Sequence, residues 1–173
     1  MKIPFPVNWL IGPLLALVLT GCFESETALI GPDNAEFPFS VLVYTDADGK
    51  DITLTRTGDN YINAEEGEAA AVRLKALDAN TYIGQIAVTE NGRRAYQYAL
   101  IRVAEDGKSF SIVHSVADEA AKAAAAKGEF GFRPCGDSTV CIETLDGFAK
   151  FATSIPDSGG KKSIFTIREM KLD

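Results

Sequence analysis

His114 is the only imidazole in the chain. A catalytic histidine needs a nucleophile to serve, and a metal needs further ligands beside it. Neither G-x-S-x-G nor H-E-x-x-H occurs. His114 keeps period-two register with Phe110 and Ile112, so it reads as a structural residue at a core or its rim. Carboxylates cluster at Glu65, Glu66 and Glu68 and again at Asp118 and Glu119. They fall in a predicted turn and at a predicted helix start, where solvated charge is ordinary. DADGKD, residues 46–51, has part of the spacing of a calcium loop. With Gly49 as the invariant glycine, however, the first and twelfth ligand positions are Tyr44 and Thr55, which cannot serve. PDSGGKKS, residues 156–163, fails as a phosphate loop. Ile155 stands where the first glycine belongs, Lys162 stands where Ser or Thr belongs, and the stretch joins helix to strand. No catalytic residue and no metal ligand is assigned, and the chain is expected not to be an enzyme.

The stronger chemical signal is at the start. Lys2 is followed by an uncharged run from Ile3 to Phe23 whose apolar heart is Trp9–Leu19. That is signal-peptide length, short of the roughly 20 apolar residues of a membrane span. It ends in Leu19-Thr20-Gly21-Cys22, which resembles the lipobox of bacterial lipoproteins. The resemblance implies a diacylglyceryl thioether on Cys22 and cleavage before it by the dedicated signal peptidase. It covers the leader and Cys22 only. In Gram-negative members of the class an aspartate after the cysteine favours the inner membrane. Phe23 stands there, so the resemblance implies an outer-membrane, periplasm-facing protein. The expected division is a cleaved signal over 1–21, a lipidated cysteine and flexible tether over 22–36, and one globular domain over 37–173.

With Cys22 assigned to lipid, Cys135 and Cys141 remain in RPCGDSTVCIE. In an oxidising compartment an even pair reads as a structural disulfide. A redox pair is more often C-x-x-C, and zinc lacks ligands here. Beyond the covalent lipid no cofactor is expected. The 173 residues carry a formal net charge of −7, and 46% are hydrophobic. That balance suits one folded domain and excludes an electrostatic grip on nucleic acid.

The elements that would position these residues are mostly strands. Phe37, Phe39, Val41 and Val43 are expected to share one face. Ile52 and Leu54, then Val72 and Leu74, then Tyr82, Gly84, Ile86 and Val88, repeat the two-residue period. Tyr96, Tyr98 and Leu100 follow, then Phe110 and Ile112. DADGK, TGDN, LDANT, ENGR and EDGKS separate the runs and suit hairpins. The fold class is therefore mainly β within α+β: an antiparallel meander closing as a barrel or half-barrel, with a sandwich as the alternative. Two short helices are predicted towards the C-terminus. One follows a Ser115 cap and stops at Gly128. The other runs from Thr144 to Ser154 on a Leu145, Phe148, Ala149, Ala152 face. After a loop over 157–162, Ser163–Glu169 is a returning strand.

Tyr82, Tyr96 and Tyr98 are the candidate ligand-pocket aromatics, Tyr82 and Tyr96 being expected to meet across a hairpin. The leading expectation is a non-catalytic, lipid-anchored envelope lipoprotein that binds another envelope component, with the membrane and an unidentified envelope protein as partners. The alternative is a lipocalin-like small-molecule binder, which a packed interior would exclude. An enzyme, or an inhibitor acting through Pro134–Cys141, comes third.

Overall fold

The computed structural model describes residues 23–90, 92–116, 118–136, 139–154 and 160–172. The leader, the lipobox residues Leu19, Thr20 and Gly21, and Cys22 itself lie outside the described residues. A three-residue strand, β1 (Phe23–Ser25), comes first. Seven strands follow as a meander: β2 (Phe39–Thr45), β3 (Asp51–Thr57), β4 (Asn60–Asn63), β5 (Val72–Ala76), β6 (Thr81–Glu90), β7 (Arg93–Val103) and β8 (Ser109–Val116). An excursion then carries helix α1 (Asp118–Lys127), strands β9 (Phe132–Pro134) and β10 (Val140–Ile142), and helix α2 (Leu145–Ser154). The long β11 (Gly160–Leu172) returns last.

The meander closes. β2 to β8 pair in sequence, and β11 joins β8 to β2, so eight antiparallel strands form a barrel. β11 does this by halves: Gly160–Thr166 pairs with β8 and Thr166–Leu172 pairs with β2. The expected barrel is thus the fold, with the two helices and the returning strand. The strand is longer than expected, because Gly160–Lys162 belong to it and not to a loop.

Two cores result. Inside the barrel lie Leu42, Tyr44, Ile52, Leu54, Tyr61, Leu74, Phe110 and Phe165. The face of β2 differs from the sequence expectation, since Leu42 and Tyr44 point inward in place of Val41 and Val43. The cause is a register shift: Val41 and Phe39 oppose the adjacent residues Lys171 and Leu172, so Ser40 is an extra residue. One extra residue reverses the parity of everything after it.

The second core lies on the outer face of β6 and β7, where Ile83, Tyr98 and Leu100 meet Phe132, Val140, Ile142, Phe148 and Phe151. β8 reaches only the last part of β7, Leu100–Val103. Further back, β1 takes its place opposite Tyr96 and Gln97 and pairs in parallel with β10. The expected tether is therefore a strand and an ordered arm. Phe23 sits among Phe148, Phe132 and Phe151 at ring distances of 5.0, 5.5 and 5.7 Å. Ile30 is fully buried. Nothing in the two-residue period could show this, because a strand of three residues has none.

The helices follow from local sequence. Gly128 stops α1 with φ +68°, a left-handed conformation that costs glycine little. Ser115 is not its cap, because β8 continues to Val116. The alanines Ala121, Ala124 and Ala125 are buried and let α1 lie close to β9. Thr144 caps α2, its Oγ1 accepting the Gly147 N–H at 3.1 Å. Gly147 must be glycine: a Cβ there would overlap the carbonyl oxygen of Phe130.

Phe23→Ala is expected to lower unfolding stability by about 3–5 kcal/mol, the range for a large aromatic removed from a core. A urea titration of the folded chain measures it. A midpoint equal to that of the parent would return the segment to the status of a tether.

Candidate functional site

A cavity of about 290 Å³ lies inside the barrel. Its walls are chiefly aliphatic and aromatic: Phe39, Leu42 and Tyr44 from β2, Leu74 from β5, Ile86 from β6, Ala99 and Ile101 from β7, and Phe110 from β8. It lies toward one rim. Pro38, Asn80 of the β5–β6 turn, Glu105 and Gly107 of the β7–β8 turn, and Met170 and Leu172 of β11 all line it. Among the described residues, no residue of the opposite turns over 46–50 or 64–71 does.

Beneath the cavity the interior is filled by rings. Phe110 and Phe165 stack at 5.0 Å, and Tyr44 meets them edge-on at 5.1 and 5.6 Å. Burial, and then the carboxylates of Glu66 and Asp46, push the Tyr44 phenol far above its ordinary range. Nearer the mouth Tyr61 stacks on Phe39 at 4.3 Å. Its hydroxyl donates to Phe39 O at 2.8 Å and accepts from Phe39 N–H at 3.3 Å. Burial pushes Tyr61 up to about 12.

The candidate tyrosines part company here. Tyr82 lines the cavity, but Tyr96 and Tyr98 do not. The hairpin pairs Tyr82 with Ile101 and Tyr96 with Ala87, so the two tyrosines stand on opposite faces of the wall. Tyr96 packs against the second core. Tyr98 is fully buried there, where its hydroxyl donates to Gln85 Oε1 at 2.9 Å and accepts from Leu29 N–H at 3.0 Å. Ser25 Oγ lies 2.8 Å from the same hydroxyl. Gln85 completes the set, accepting from Ile30 N–H at 2.7 Å and donating to Ile30 O at 3.1 Å. These polar groups clamp the N-terminal arm to the barrel wall; of them, Gln85 also borders the cavity. Sequence reasoning passed over Phe39, Leu74, Ala99 and Ile101, which look like any other strand residues. Only closure of the barrel makes them the wall of a space.

Cys135 and Cys141 form the expected disulfide, with Cα atoms 5.6 Å apart, joining the end of β9 to β10. The loop it closes is small, so it contributes about 2 kcal/mol on chain-entropy grounds. In the Asp46–Asp51 turn, Asp46 Oδ1 accepts from Asp48 N–H at 2.9 Å and Lys50 N–H at 2.8 Å, which is turn chemistry. Glu65 is paired with Lys50 at 2.5 Å, and Glu119 lies 3.8 Å from Lys122. The backbone of His114 is placed in β8 opposite Lys161. Among the described residues, no group of three or more His, Cys, Asp or Glu side chains is gathered to hold a metal ion.

Fold and site together define a closed eight-stranded antiparallel barrel with an apolar cavity towards one rim. Comparison with known proteins finds no family model, no curated protein and no solved structure that matches the chain.

Tyr61 makes the barrel sensitive to alkali. Below pH 10 the phenol is neutral in folded and unfolded chains alike. Between about pH 10 and 12 the unfolded chain ionises it while the fold holds it neutral. Stability should fall across that window, Tyr61 contributing on the order of 2 kcal/mol of the loss. Urea midpoints at pH 9 and pH 11.5 measure the fall, and Tyr61→Phe should make it shallower.

Proposed function

We propose that this chain is a binding protein whose barrel takes a small apolar molecule, and that a lipid on Cys22 fixes it to the cell envelope. The observation that carries the first half is the cavity. Binding sites are concave and mostly apolar, with a few polar groups near the opening, and most exceed about 300 Å³. This one stands at the small end of that range and suits one ring system or a short chain. A packed interior would have excluded the ligand reading; the open one puts ligand binding first. The lipid half rests on the resemblance of Leu19-Thr20-Gly21-Cys22 to a lipobox. If it holds, the anchor has no spacer, since the next residue, Phe23, is 3% exposed in the second core. The domain would ride directly on the membrane surface, facing the periplasm from the outer membrane.

Native mass spectrometry of the full chain, purified from its own membranes in mild detergent, tests both halves. The covalent mass should show cleavage after Gly21, acylation of Cys22 and two hydrogens lost at Cys135 and Cys141. The noncovalent mass should show a small molecule. Ala99→Phe, which fills the cavity from β7, should lose that molecule at a stability cost of about 1–3 kcal/mol or less. A co-purified polypeptide with an empty barrel would overturn the ligand reading in favour of an envelope partner.

A further inference from the structure

We propose that the ligand of the barrel is uncharged along its buried part and that the cavity rejects anionic amphiphiles, any polar end being a donor or cation that meets Glu105 and Asn80 at the mouth. This rests on the ligand-binding reading and narrows its chemistry. The ionisable residues among those lining the cavity are three tyrosines and Glu105; no lysine, arginine or histidine is among them. A carboxylate or sulfonate drawn inside would lose its water and find no counter-charge among the lining residues.

Two of the three tyrosine hydroxyls do not compensate. That of Tyr61 is engaged in both directions with the Phe39 backbone. That of Tyr44 already feels the carboxylates of Glu66 and Asp46, which an anion would have to approach. Two cations at the mouth end are engaged elsewhere. The Arg56 guanidinium lies 4.3 Å over the Phe37 ring, with its Nε towards Gly58 O at 3.4 Å. Lys171 is paired with Glu169 at 3.1 Å. Lys108, in the β7–β8 turn, is exposed and is not part of the lining. Among the described residues, Glu105 is thus the one carboxylate that lines the cavity. An amine or hydroxyl on the outer end of the ligand would gain from it, and an anion would be repelled.

Two probes with the same ring system separate the cases: uncharged N-phenyl-1-naphthylamine and its sulfonate relative, 8-anilino-1-naphthalenesulfonate. Each is added to the full chain in mild detergent and counted as a mass adduct by native mass spectrometry, with Ala99→Phe as the filled-cavity control. The neutral probe should bind as one equivalent, be lost in Ala99→Phe, and bind at least about tenfold more tightly than the sulfonate. Glu105→Lys, an exposed substitution that leaves the fold intact, should narrow that ratio. Equal or tighter binding of the sulfonate in the parent chain overturns the charge rule while leaving the cavity a binding site. Binding of neither probe, or equal binding to Ala99→Phe, overturns the ligand reading itself.

Discussion

Strands β6 and β7 have no face to give to water. Ile83, Ala87, Tyr98 and Leu100 stand on one side of this wall, and Gly84, Ile86, Ala99 and Ile101 on the other. A strand of an ordinary barrel turns its polar side outward. Here the outer side must be covered, and most of what is not barrel serves to cover it. α2 brings Phe148 and Phe151, β9 and β10 bring Phe132, Val140 and Ile142, and the N-terminal arm brings Phe23 and Ile30. The polar groups caught under the cover are satisfied by one another through Tyr98, Gln85, Ser25 and the backbone of Leu29 and Ile30. Left unpaired, such groups would cost about 1–3 kcal/mol each.

The same wall sets the size of the space within. A small residue on its inner side, Ala99, leaves volume that a larger one would fill, whereas the space beside Gly84 is already taken. At Gly84 the Ile101 side chain lies where a Cβ would meet it at 2.7 Å. Aromatic rings fill the rest of the interior and confine the space to one rim. An eight-stranded barrel is just wide enough to be packed solid or to hold one small molecule. Which of these occurs is decided by a few residues of wall size, not by the architecture.

The N-terminal arm links this packing to the proposed anchor. An acylated Cys22 would stand one residue from a buried phenylalanine in a sheet strand, so membrane and barrel would be joined through β1 to β7, itself a wall of the cavity. The arm is also held from outside by Arg73, whose guanidinium donates to Ile30 O at 3.0 Å, and by the ion pair of Lys75 with Glu36. The proposed ligand site and the proposed anchor thus rest on neighbouring parts of one sheet.

The sequence by itself determined what depends on neighbours along the chain. The two-residue periods around Ile52, Leu74 and Phe110, the Gly- and Asn-bearing turns, the Gly128 stop, the Thr144 helix start and the Cys135–Cys141 pair are all local matters of sterics and hydrogen bonding. Curling into a barrel or half-barrel, or pairing as a sandwich, was legible too, since so many strands on short turns cannot remain an open sheet; closure itself was not. What only the tertiary structure decided depends on partners distant in sequence. The inward face of β2 turned on one unpaired residue opposite β11, and no period within FPFSVLVYT records a partner more than a hundred residues away. Tyr96 and Tyr98 parted from Tyr82 because the register set at Glu90–Arg93 puts them on opposite faces, both of them buried, where apolar content cannot tell inside from outside. β1 is a strand only because β7 and β10 leave a gap it fits. The cavity is a volume that closed walls fail to fill, and a volume belongs to the assembled barrel and to no stretch of the chain.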